Sequence, residues 1–381
     1  MAADAAAQHD AATSIVVKEN RPELRALTSV RGIAAWLVVL YHIRLSMAFA
    51  PHWLIAFLAK GYLAVDFFFL LSGFVIWLTY GERLRHEGLA GAPTFLKRRI
   101  ARVWPLHFVM LTAAAALASL MLVTGHAAPR LFPFDQLPLD ILMIQNWGFT
   151  DQLAWNVPSW SISVEFAAYL LFPLAAIAVD WRRLPTALIL AILALLFALL
   201  HVVMSSAGAT TLGQSIVKLG LVRCLVEFTA GTASCALWLR WADEPARWAI
   251  ASSAVATALL AGWLAGAMPE TLALPAAFAA GLVALALTSG RRGNPLEVRW
   301  LHYLGEISYA TYLCHFLLYF VFKLVMVDNP YNVPPVLIAL FLALVLASSI
   351  ALYHLVERPA QRAINRWRWP TRRMRNTVLM Q

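Results

Sequence analysis

Long apolar runs, broken by short polar and arginine-rich stretches, follow one another from residue 27 to residue 356. A helix that crosses a bilayer needs about 20 mostly apolar residues. About ten stretches meet that length, near 27–47, 60–80, 99–124, 160–180, 184–204, 219–240, 247–266, 271–289, 302–325 and 334–356. The pattern predicts an all-α, polytopic integral membrane bundle of about ten transmembrane helices. The run QLPLDILMIQNW at 136–147 is too short to span and reads as re-entrant or interfacial. Residues 1–20 are Ala-rich and polar and read as a disordered tail. A single transmembrane domain is expected over 21–362, and a basic tail over 363–381.

Composition turns this pattern into a class. Of 381 residues, 61% are hydrophobic and only 13% charged, against roughly 25% charged in soluble domains. Arginines and lysines then orient the bundle by the positive-inside rule. Lys18, Arg21 and Arg25, the cluster from Arg83 to Arg102, and the tail from Arg358 onward fall on one side. The opposite loops carry few cations, so both termini are expected to be cytoplasmic. The +10 net charge reads as this signal plus contact with anionic lipid, and no nucleic acid is expected. Cys224, Cys235 and Cys314 lie inside apolar segments and read as buried thiols, with neither a disulfide framework nor metal-ligand spacing.

Ionisable residues inside the apolar runs are costly and mark candidate sites. Arg31 and His42 share the first helix, eleven positions apart, and so share a face with about 16 Å between them along the axis. Asp66 lies about as far from the outer end of the second helix as His42 does from its own. Antiparallel neighbours would bring the two together, the carboxylate fixing the imidazole tautomer as in a general-base pair. Ser72 and Gly73 suit close helix packing. Arg99 and Arg102, at i,i+3 on the third helix, sit at the level of Arg31. Arginine grips phosphate through planar, bidentate geometry.

Further along, Glu165 falls early in the fourth helix, between Ser161 and Tyr169. It reads as a partner of Arg223 or a neighbour of the base. Arg223 and Glu227, at i,i+4, suggest an internal salt bridge. Ser308, Tyr312 and His315 line one face of the ninth helix, with His315 a core histidine, an acceptor contact or a proton relay. Glu357 ends the last helix and reads as a cap. No P-loop, HExxH, GxSxG or CxxC signature is present.

Five ordered stretches carry a resemblance. LTSVRGIAAWLVVLYHI holds an Arg-x10-His as Arg31 and His42. GYLAVDFFFLLSGFVI follows, then FLKRRIARVWP with its RxxR as Arg99 and Arg102, VPSWSISVEFAAYLLFP, and LGEISYATYLCHFLL. Over about residues 22–362 the chain resembles membrane-bound acyltransferase family 3, bacterial enzymes that O-acylate sugars and related hydroxyl compounds. The resemblance implies an acyl-CoA donor, often acetyl-CoA, with no metal, and a location in the bacterial inner membrane. It implies a carbohydrate or lipid-linked sugar as acceptor. Some relatives carry a C-terminal SGNH hydrolase-like domain that this sequence lacks, so a separate extracytoplasmic acyl-transfer partner is the corresponding expectation.

Residue by residue, Arg31, Arg99 and Arg102 are expected to hold the CoA phosphates. His42 is expected to act as general base with Asp66 orienting it and Glu165 nearby, while Tyr312 and His315 are expected to contact the acceptor. The alternative is a proton-coupled exporter of acylated or sugar compounds that uses the same ionisable groups as a relay; no clear inverted repeat supports it.

Overall fold

Ten long helices form the bundle, as a computed structural model shows for residues 24–291 and 293–367. They are α1 Arg25–Ile43, α2 Ala64–Ile76, α3 Ala92–Val123, α4 Trp160–Ala178, α5 Thr186–Ser206, α6 Ile216–Trp241, α7 Pro245–Leu264, α8 Glu270–Thr288, α9 Ser308–Met326 and α10 Pro335–Leu352. Each coincides with one of the apolar runs. Among the described residues, eight helical stretches are long and apolar enough to cross a membrane. One of these, His52–Val123, contains both α2 and α3, and α6 is not in the set. The reading of 1–20 lies outside the described residues. A further helix, α11 Arg358–Arg366, runs past the boundary expected at 362.

The periphery is apolar, as a lipid solvent requires. On α5, Leu190, Leu195, Leu199 and Val202 are all exposed. Inside, α2, α3, α4, α6 and α9 enclose the largest buried cluster, which includes Phe69, Phe74, Leu106, Phe172 and Leu313. A very close crossing joins α2 to α6. A Cβ on Gly73 would overlap the backbone carbonyl of Phe228, and one on Gly231 would overlap that of Leu70. The two helices therefore touch backbone to backbone, which only residues this small allow.

Helix α3 has 32 residues, about 48 Å at 1.5 Å per residue, longer than the hydrocarbon core. Its first turns carry Lys97, Arg98, Arg99 and Arg102. Two π-helical turns stand at this end of the bundle, Trp77–Gly81 after α2 and Tyr353–Glu357 after α10.

The segment between α3 and α4 is pinned rather than loose. Its one short α-helix, Leu137–Ile141, docks on α3, where Trp104 Nε1 donates to Ile141 O (3.1 Å) and His107 Nε2 to Asp140 O (2.8 Å). Trp155 is buried with its indole N–H on Pro133 O (3.1 Å), and Asn156 Nδ2 donates to Leu313 O on α9 (2.9 Å).

Candidate functional site

Helix α1 carries the two ends of the site. At its first turns the Arg31 guanidinium donates to Gly305 O through Nε (3.2 Å) and Nη2 (2.6 Å), and to Ser308 Oγ through Nε (3.0 Å). Gly305 and Ser308 flank the break between the short helix Arg299–Glu306 and α9. Arg31 thereby satisfies a carbonyl at a helix end.

A cavity of about 170 Å³ opens beside it, lined by Arg31, Arg99, Arg102, Glu165, Tyr169 and Tyr312, with Phe68, Ser72 and Ser161 among its other walls. The three arginines expected to converge do so, from α1 and α3. Arg99 Nη2 donates to Tyr80 Oη (3.3 Å), and its guanidinium stands over the Tyr80 and Tyr169 rings, 5.2 and 6.0 Å from their centroids. Arg99 Nε has no hydrogen-bond partner among the described residues. Arg102 Nη1 donates to Glu357 Oε1. Glu165 Oε1 accepts from Tyr169 Oη (2.6 Å).

At the other end of α1, His42 meets His315 of α9. Their rings lie 4.9 Å apart between centroids, and His42 Nδ1 is 3.1 Å from His315 Nε2. His315 Nδ1 faces Thr311 O at 3.2 Å. A carbonyl only accepts, so in the neutral ring Nδ1 carries the proton and Nε2 the lone pair. His42 Nδ1, also 2.9 Å from Val38 O, must then be the donor. This assignment leaves the lone pair of His42 on Nε2. His315 is fully buried, whereas His42 is half-buried.

The two ends are separate spaces. His42 and His315 do not line the arginine cavity. Tyr312 stands between, its ring centroid 6.1 Å from that of His315 and its hydroxyl engaged with Ser161 Oγ (2.8 Å) and Pro158 O (3.0 Å).

Two expected pairings are corrected. Asp66 does not orient His42. Its carboxylate takes Arg223 of α6 in a two-pronged pair, Nε to Oδ1 at 2.5 Å and Nη2 to Oδ2 at 2.8 Å, fully buried. The reason is rotational. Asp66 and Gly73 are seven residues apart and share a face of α2, and Gly73 faces α6. Arg223 is consequently taken from Glu227, whose two carboxylate oxygens have no hydrogen-bond partner among the described residues. Glu165 lies with the arginines, beside neither Arg223 nor His42. Sequence reasoning missed two contributors, Tyr80 and Glu357. Both come from π-helical turns, and the register of a π turn is not written in apolar periodicity.

Against known proteins, residues 24–354 match a family described as an acyltransferase domain. Acyltransferase MdmB of Streptomyces mycarofaciens is 36% identical over 170 residues, 42% of this chain and 40% of that protein. Protein 2 in the picA locus of Rhizobium radiobacter is 39% identical over 103 residues, 27% of this chain and 50% of that protein. The alignments thus span half or less of each relative. No solved structure matches.

Proposed function

The chain belongs to membrane acyltransferase family 3, and on that premise we propose that it moves an acyl group, acetyl in the simplest case, from cytoplasmic acyl-CoA to a hydroxyl of a carbohydrate acceptor. The acyltransferase class comes with the family. The donor, the acceptor and the roles of individual residues are the proposal, as is placement in a bacterial inner membrane with both termini cytoplasmic.

One observation carries the reading. A single helix presents Arg31 to a cavity lined also by Arg99 and Arg102 and, about 16 Å away along its axis, His42 with its lone pair assigned to Nε2. A phosphorylated donor with a long arm fits such an arrangement. Its pyrophosphate takes Arg99 and Arg31, whose charge-assisted bonds to phosphate are strong. In this reading the nucleotide lies at the arginine end, and the pantetheine arm reaches the histidines once Tyr312, which separates the two spaces, moves aside.

His42 Nε2 then removes the proton from the acceptor hydroxyl. The oxygen attacks the thioester carbonyl, the C–O bond forms, and the tetrahedral intermediate collapses with cleavage of the C–S bond. CoA leaves as thiolate and takes up the proton held by His42. His315 holds the base in its tautomer, the part that a carboxylate plays elsewhere. A route through acyl-His42 uses the same groups in two steps. Lipid-linked sugars and free polysaccharides both suit the acceptor class, and a separate extracytoplasmic protein could take the acyl group onward.

The test is acetyl-CoA binding and thiol release by the purified protein in nanodiscs, with candidate acceptors, beside His42→Ala and Arg99→Ala. Release abolished in the histidine variant and binding weakened in the arginine variant support the reading. A histidine variant with wild-type turnover rules out the base.

A further inference from the structure

Arg102 differs from the other two arginines of the cavity in what holds it. Arg31 and Arg99 rest on neutral groups, Gly305 O, Ser308 Oγ and Tyr80 Oη. Arg102 is held by a carboxylate, Glu357 Oε1. Glu357 is 1% exposed, and its second oxygen, Oε2, has no hydrogen-bond partner among the described residues. A buried carboxylate with one oxygen unsatisfied is an unfavourable arrangement. Arg102 in turn spends its charge on a group that is not a ligand, although it lines the cavity.

The backbone adds a second, independent observation. Glu357 ends the π-helical turn Tyr353–Glu357, and α11 continues directly from it. The wider turn shifts the register of every residue after it, and such turns recur at functional sites. The far end of α11 is tied down, Lys97 Nζ donating to Trp367 O at 2.7 Å. Movement between those points falls on the π turn, which can relax towards a regular α turn and carry Glu357 off Arg102.

We infer that Glu357 is an internal counter-ion for Arg102, occupying the place of a donor phosphate and displaced when the donor binds. This rests on the donor site proposed above and adds a residue that sets donor affinity. Glu357 is a positioning residue, because it acts through Arg102. With Glu357 in place, three guanidinium groups face two carboxylates, Glu357 and Glu165. Its departure leaves Glu165 alone against them, and the net positive charge of the cavity rises as the phosphates arrive. The exchange holds Arg102 ready without leaving it bare in a low-dielectric wall.

The experiment is calorimetric binding of CoA, the thiol form, to the full chain in lipid nanodiscs. Glu357→Gln keeps the shape and removes the charge. If the carboxylate competes with phosphate, this variant binds CoA about tenfold more tightly, and Glu357→Asp returns the affinity towards wild type. A structural salt bridge would give the opposite sign. Affinity that is unchanged or weaker in Glu357→Gln, at a wild-type melting temperature, overturns the inference.

Hydrogen exchange on the wild-type protein tests it without mutation. Amides of 353–358 should exchange faster with CoA bound, and unchanged or slower exchange counts against displacement. The donor site is judged separately. CoA binding lost in Arg99→Ala but unaltered in Glu357→Gln leaves the site standing and removes only the counter-ion role. Absence of CoA binding in wild type removes both.

Discussion

His42 and His315, 273 positions apart in sequence, meet through Nδ1 and Nε2 at 3.1 Å. His42 Nδ1 donates to His315 Nε2 and His315 Nδ1 donates to Thr311 O, which leaves the lone pair of His42 on Nε2. Under the proposed mechanism His315 is the second member of a two-histidine relay.

Removing His42 should abolish thiol release. His315→Ala should do less, because Val38 O still accepts from His42 Nδ1. A loss of about 10–100-fold in kcat is expected for a tautomer held by one partner instead of two. Single-turnover thiol release checks this. Equal, complete loss in both variants would instead give His315 a direct share in the chemistry.

Arg99 and Arg102 should separate into different phenotypes despite their RxxR pairing. Arg99→Ala removes a cation whose Nε is unpartnered, and CoA affinity should fall about 10–100-fold with the fold intact. Arg102→Ala strands the buried Glu357 carboxylate, at a stability loss of about 3–5 kcal/mol. Melting curves in detergent beside binding isotherms distinguish the two. A stable Arg102→Ala protein would contradict the burial argument.

Asp66→Ala should behave as a stability variant. It leaves Arg223 uncompensated in the interior, again about 3–5 kcal/mol, and the protein that remains folded should keep its specific thiol-release rate. Were Asp66→Asn to melt like wild type and yet be inactive, an orienting role towards His42 would have to be restored.

Asp140 gives a pH signature away from the spanning helices. Burial pushes its carboxyl up to about 7, from an ordinary value near 3.8. The native state keeps the proton that the unfolded chain releases. The contribution is therefore fully present below about pH 4 and is lost as pH rises through about 7. Asp140→Asn should melt above wild type at pH 8, by up to about 4 kcal/mol in stability, with the gap closing towards pH 4. A gap that does not vary with pH would mean that Asp140 is charged in the fold.

The sequence disclosed what the bilayer dictates and little of what azimuth decides. The ten helices of the bundle were legible as apolar runs, because hydrocarbon demands about 20 apolar residues at a crossing, although eight helical stretches among the described residues are long and apolar enough to cross. The convergence of Arg31, Arg99 and Arg102 was legible because the three lie at one level. Depth also suggested Asp66 for His42, but depth does not say which way a side chain points. The clue that would have turned Asp66 towards Arg223 was Gly73, seven residues on, marking the face that packs on α6. Tyr80 and Glu357 had no such clue, since each is delivered by a π turn. His315 was legible as a candidate, but its pairing with His42 needed α1 and α9 to be seen side by side.

The backbone contact of α2 with α6 at Gly73 and Gly231 also decides where the protein can yield. At these two glycines the helices touch backbone to backbone, and the Asp66–Arg223 pair pins them a second time. They form the stationary wall of the cavity, because sliding one along the other would drive peptide groups through each other. The stem of α9 is held to α1 in the same manner, since a Cβ on Gly305 would overlap Thr28 O, so two sides of the cavity are built from helices that cannot slide past their neighbours.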